Sequence, residues 1–259
     1  MASAPQAQLP LFYQDLMPLN SRDHGGWKSK PTDKAPWLVG QHAIPLTVEE
    51  FPQAARNFPI IFTSGDDPVP LALMGLNEGV NAFVDDEGKL LENVYVPAYV
   101  RRYPFLLAKL APDATELSLC FDPTSDLIGE YEEGAPLFDG EQASEACQAM
   151  LNFCQQFEEA GMRTGAFVEE LKKHKLLMDG EVAIQVEGQE QPYVYRGFQM
   201  VNQEALREVR GDVLRGWNQS GLLPLIYAHM FSLELVREVF GRQVQQGKGP
   251  VAAPVAANA

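Results

Sequence analysis

The apolar residues of this chain change their spacing partway along it, and that change limits the possible folds more than any single motif. In the first half they come in short runs cut by turns. Pro59-Ile60-Ile61-Phe62-Thr63 is closed by Ser64-Gly65-Asp66-Asp67-Pro68, and Val69–Leu76 then turns at Asn77-Glu78-Gly79. Val80–Val84 follows and ends at Asp85-Asp86-Glu87-Gly88. Such runs between Gly, Asp and Pro clusters read as strands, and the tight turns join them into an antiparallel meander. Leu117, Leu119 and Phe121 alternate with polar residues, the spacing of one further strand. In the second half Ala143, Ala146, Cys147, Met150, Leu151, Cys154 and Phe157 recur at three- and four-residue intervals, which makes one helical stripe. The expectation is an α+β protein, a small antiparallel sheet with a helical C-terminal half.

Local signals add boundaries. Thr47 reads as the cap of a short helix with Glu49 and Glu50 in its first turn. Tyr99–Leu110 reads as a helix perturbed at Pro104. Asp139 is placed to cap the striped helix and Gly161 to end it, with Thr164 opening a second helix through Phe167, Leu171 and Leu176. Val182–Val186 and Tyr193–Met200 form a hairpin across 187–192. Asn202 caps a helix carrying Leu206, Val209, Val213 and Trp217. After Gly221 a last helix carries Leu225, His229, Leu233, Val236 and Phe240 on one face. Leu11–Pro45 has little periodicity and reads as an extended segment pinned by aromatics. Residues 1–10 are expected to be mobile and 247–259 a disordered tail, because neither holds enough large apolar groups to build a core. No linker divides the rest, so 11–246 is expected to be a single domain.

Charge narrows the partners. The chain has 35 acidic against 20 basic residues, a net charge of −15. That field repels a duplex or an anionic bilayer, so no nucleic-acid partner is expected. The N-terminus lacks the basic and apolar regions of a secretory signal, and no run approaches the roughly 18 apolar residues of a membrane span. A cytoplasmic protein without membrane insertion is expected, with export by a route that leaves no N-terminal mark still open. The three cysteines agree with that compartment. Cys147 and Cys154 lie about 10 Å apart along one helix, beyond the roughly 7 Å a disulfide spans. Cys120, Cys147 and Cys154 are read as free thiols.

No catalytic constellation can be read. GxGxxG after a strand, GxxxxGK[ST], GxSxG, CxxC and HExxH are all missing, and no cofactor is expected. Two places remain. Tyr99, Arg101, Arg102 and Tyr103 form a compact cluster, and arginine beside tyrosine suits a carboxylate or a peptide backbone. The bland alternative is an arginine bridging the acidic segment Asp122–Glu141, itself read as a solvated loop. His24 and His42, with Asp23, could hold a metal such as non-haem iron if the N-terminal segment folds back. Otherwise His24 is a surface or hydrogen-bonded loop residue and His42 packs ahead of Ile44. His229 reads as a satisfied core histidine and His174 as a complement to a helix dipole.

Several segments together resemble the SapC family of bacterial proteins. They are His42–Phe51, Phe58–Phe62, Tyr95-Val96-Pro97-Ala98-Tyr99-Val100-Arg101-Arg102-Tyr103-Pro104-Phe105, Gly197–Val201 and Leu222–Leu233. The resemblance runs from Leu16 to Phe240. It implies a surface-layer association, by the family's name, or an accessory role, since members are often encoded near flavin-dependent tryptophan halogenases and TonB-dependent receptors. It brings no catalytic residue. The expected function is a non-enzymatic accessory protein of an envelope- or halogenase-linked system that binds a peptide or protein. A metal-dependent enzyme and a surface-layer component are the alternatives.

Overall fold

Thr47 shows how local chemistry starts an element here. Its backbone N–H and hydroxyl both donate to Glu50, and this reciprocal cap opens a 3-10 turn, Val48–Glu50, that runs into the helix Phe51–Ala54. The computed structural model describes residues 9–249 apart from 92, 112–113, 115 and 186–190. The expectations for 1–8, for 250–259 and for the hairpin turn at 186–190 therefore lie outside the described residues. Gly247 and Lys248 are held by backbone bonds to Val244 and Gln243, and the Lys248 ammonium bonds Asp86 at 2.7 Å.

The protein is α+β, with small antiparallel sheets and a helix-rich C-terminal half. Its residues divide into two compact units, Met1–Asp33 with Tyr99–Glu159, and Lys34–Ala98 with Ala160–Ala259. In the first unit Ser118–Phe121 pairs on one side with Phe105–Ala108 and on the other with Met17–Pro18. Lys28–Ser29 joins Ile128–Gly129 and Ala135–Pro136 in a second small sheet. Phe105, Leu107, Phe121, Ile128, Leu137 and Cys154 close together as its core, with Trp27 packed against them.

The second unit is built on a five-stranded sheet in the order Leu177–Ile184, Tyr193–Val201, Ile60–Thr63, Pro70–Leu73, Ala43–Pro45. The helices Gly211–Ser220, Leu222–Ser232 and Val236–Gln245 belong to this unit. Phe167 packs edge-on to Phe51 and stacks on Phe62 in its core.

Several expectations are corrected. Residues 99–110 are not one helix: the helix Ala98–Arg102 stops before Pro104, and Phe105–Ala108 is a strand. Proline disfavours helical geometry in the residue before it, and Ser118–Phe121 supplies the strand partner. Val80–Val84 is not a third meander strand: among the described residues it forms no strand ladder, with Val84 in an isolated bridge to Leu90, and Ala43–Pro45 takes the place beside Pro70–Leu73. The striped helix does not end at Gly161 but runs unbroken from Glu145 to Lys173. A glycine costs a helix only about 1 kcal/mol relative to alanine. Ala160 just before the glycine and Thr164, Phe167, Val168 and Leu171 beyond it stay buried and carry the stripe through. The cap of that helix is not Asp139, which lies in the strand Phe138–Asp139. The Ser144 hydroxyl instead accepts from the Cys147 N–H at 3.1 Å. Asn202 does cap a helix, through the N–H groups of Glu204 and Ala205, but that helix ends at Arg207, and Val213 and Trp217 lie on a separate one, Gly211–Ser220. Gly221 breaks the chain at φ 80° as expected, but the last helix is two, Leu222–Ser232 and Val236–Gln245, joined by the 3-10 turn Leu233–Leu235.

Candidate functional site

The helix Ala98–Arg102 is too short to be stable alone, so its side chains point where packing sends them. Arg101 and Arg102, adjacent in sequence, part company. Arg101 is exposed, with its guanidinium 5.1 Å from the Phe153 ring centroid. Arg102 is only 6% exposed. Its guanidinium lies 4.2 Å from the Phe157 centroid, 4.4 Å from Tyr99 and 5.9 Å from Tyr13. Ring faces are electron-rich, which offsets part of the cost of burying the cation. The Arg102 Nη1 also reaches Glu158 at 3.4 Å, a carboxylate on the long helix rather than in the acidic segment Asp122–Glu141. The Nε has no hydrogen-bond partner among the described residues.

The other side of this cluster is formed by the N-terminal segment Leu11–Gln14. Tyr99 donates its hydroxyl to the Leu11 carbonyl at 3.1 Å, and Tyr13 donates to the Phe105 carbonyl at 2.6 Å. The Gln14 N–H donates to Asp122 Oδ2 at 2.7 Å. Asp122 is fully buried, a departure from the solvated loop expected of its segment, and its Oδ1 also accepts from the Thr124 N–H and hydroxyl. Phe12 sets its ring edge-on to Tyr99 and Tyr103. The aromatic N-terminal segment and the Tyr99–Tyr103 cluster, read separately in the sequence, are thus one assembly.

The electrostatics make that assembly chemically quiet. Burial pushes the Tyr13 and Tyr99 hydroxyls above the usual phenol range, with Arg102 pulling both the other way. Burial, then the Asp122 carboxylate, raises Tyr103 to about 12. Burial lifts the Cys154 thiol to about 11 and raises Cys120 and Cys147 as well, the reverse of what a nucleophilic thiolate needs. All three cysteines are buried and free.

The histidines are divided between the two units. His24 is buried, not at the surface: its ring meets Trp27 and Phe121 edge-on, and Nδ1 lies 3.2 Å from the backbone N and O of Asn20. It belongs to the first unit and His42 to the second. His42 is half-buried, and its carbonyl accepts from the N–H groups of Met74 and Gly75. Asp23 is exposed and closes the Asn20 cap. Among the described residues no group of three or more His, Cys, Asp or Glu is arranged to hold a metal ion. His229 is the satisfied core residue expected: Nδ1 lies 2.8 Å from the Ile60 carbonyl, and Nε2 accepts from the Val201 N–H at 3.0 Å. Burial lowers it to about 4, against the weaker pull of the Ile60 bond. His174 stands just past the long helix, with Nε2 3.2 Å from Glu170.

Sequence reasoning missed an outward-facing surface in the second unit. The helix Leu222–Ser232 is apolar nearly all round; it buries Ile226, His229 and Ser232 and turns Tyr227 and Phe231 outward. Phe231 is 72% exposed and Tyr227 41%, and the two rings stack at 5.8 Å. On the shoulder of this ridge Met230 and Leu233 line a groove with Met178, Met200 and Val201, rimmed by Asn202, Gln203 and Glu204. The available signal was Tyr227 and Phe231 themselves, an i,i+4 aromatic pair off the stripe through His229.

The family model that matches, described as SapC, covers residues 19–239, most of the chain. No curated protein and no solved structure matches. No helix among the described residues is long and apolar enough to cross a membrane.

Proposed function

The chain belongs to the SapC family, and from that premise we propose that it is a non-catalytic accessory protein that binds a segment of another protein. The observation that carries this reading is the stacked Tyr227–Phe231 ridge beside a methionine-lined groove. Aromatic residues left in water and flexible methionines are the raw material of peptide-binding surfaces, with rigid rings as anchors and adaptable thioethers between them. Charge chooses the occupant. Glu204 rims the groove, Glu234 follows Leu233, and the whole chain carries −15. The partner segment is amphipathic, with an apolar face for the ridge and basic residues at its flanks. The setting is the envelope- or halogenase-linked system expected of the family.

A photo-crosslinker at position 231 tests this in cells, followed by titration of the captured segment, as a synthetic peptide, into wild-type and Tyr227→Ser/Phe231→Ser protein. Binding to the wild type and a loss of about tenfold or more in the variant are expected. Equal binding to the two proteins sinks the reading.

A further inference from the structure

We infer that Leu11–Gln14 is a resident cis occupant of a second peptide site, the Arg102 cluster, and that an extended segment of a partner protein carrying adjacent aromatic residues takes its place. The contacts are those by which proteins read peptides. One side-chain hydroxyl (Tyr99) holds a strap carbonyl, one buried carboxylate (Asp122) holds a strap N–H, and two consecutive strap rings enter an aromatic cleft. Beneath Tyr13 lies a buried guanidinium with one N–H unmatched, so the occupied site is not fully satisfied.

The strap is also held against its own preference. The Tyr13 N–H bonds the Pro10 carbonyl, closing a turn that puts Phe12 at φ 80°. That position in a turn belongs to glycine or asparagine, since a Cβ is crowded there. A competing segment that reaches the same cleft with a relaxed backbone has an advantage over the strap. This site is separate from the Tyr227–Phe231 ridge and stands or falls without it.

The probe is a fluorescein-labelled peptide of residues 9–17, Leu-Pro-Leu-Phe-Tyr-Gln-Asp-Leu-Met. It is titrated into wild-type chain, full-length Phe12→Ala/Tyr13→Ala chain and full-length Tyr227→Ser/Phe231→Ser chain, with anisotropy as the readout. The strap variant is expected to bind at least about tenfold tighter than wild type, because a site occupied in cis discounts its apparent affinity. A peptide with alanine at both aromatic positions is expected not to bind, and the ridge variant to behave as wild type. Equal binding to wild type and strap variant, or no discrimination between the two peptides, overturns the proposal. If the strap variant shows no cooperative melt, hydrogen exchange on the wild-type chain decides. Excess probe is expected to accelerate exchange of the Gln14 amide, and an unchanged rate overturns the proposal. A doubled mass for the free wild-type chain that the Phe12→Ala/Tyr13→Ala chain loses would place a second copy's strap in the site and overturn its assignment to another protein.

Discussion

Two aromatic clusters, one in each unit, are used in opposite ways. In the first, Tyr13, Tyr99 and Phe157 turn inward around a cation, and each tyrosine hydroxyl finds a backbone carbonyl. In the second, Tyr227 and Phe231 turn outward and stack on one another in water. The buried bases of the two units differ too. Arg102 sits within reach of Glu158, while His229 is held between a carbonyl and an N–H, an arrangement that suits only the neutral ring. The lesson is that arginine and tyrosine set side by side in the sequence turn inward onto the chain's own N-terminal segment, while residues that read as plain apolar helix offer the open surface.

The largest effect expected is on the histidine side of that comparison. His229 falls from 6.5 to about 4 on folding. Between those values the unfolded chain binds a proton that the folded chain refuses, so stability drops as pH falls through the window. The loss is on the order of 3 kcal/mol by pH 4 and absent above pH 7. Urea midpoints at several pH values, for wild type against His229→Gln, isolate it from the carboxylates. An equal acid loss in both proteins breaks the contrast between the buried bases.

Replacing Arg102 by Met is expected to cost about 2 kcal/mol, from the lost ring contacts and ion pair. That is less than for a fully buried pair, because Glu158 keeps access to water. Arg101→Ala, on the exposed neighbour, should stay within about 0.5 kcal/mol. Equal costs in denaturant titrations would erase the distinction between the two arginines. Tyr13→Phe deletes one buried hydrogen bond and leaves the Phe105 carbonyl without that donor, for about 1 kcal/mol of stability. The smallest effect on stability belongs to the ridge. Tyr227→Ser/Phe231→Ser should lower stability by no more than about 0.5 kcal/mol, read from the thermal midpoint, since Phe231 is mostly exposed and Tyr227 partly so. A large drop would mean that the ridge is packed after all.

What could be read in the sequence was short-range. Thr47 with Glu50, Asn202 ahead of its helix and Gly221 between two others are decided within a few residues, and all stand as expected. Phe105–Ala108 could not be read that way. Phe-Leu-Leu-Ala suits a helix as well as a strand, and the deciding partner, Ser118–Phe121, lies beyond the next turn. The same distance hid the site. Tyr99, Arg101, Arg102 and Tyr103 could be singled out, but only contacts with Phe12, Tyr13 and Phe157 determine that Arg102 turns in and Arg101 out. The Tyr227–Phe231 ridge was obscured for another reason: an almost uniformly apolar helix has no polar side by which to tell its outer face.

Each unit is stitched from two separated stretches of chain, and the helix Glu145–Lys173 leads from one into the other. A ribosome working from the N-terminus finishes the first unit once Glu159 has emerged. At that moment Ile60–Thr63 and Pro70–Leu73 have been made but still lack Tyr193–Val201 along one edge. An unpaired apolar edge that waits for later residues is a target for chaperones and for aggregation. Slowing translation after Ala160 would lengthen that interval, and the yield of soluble protein would register it.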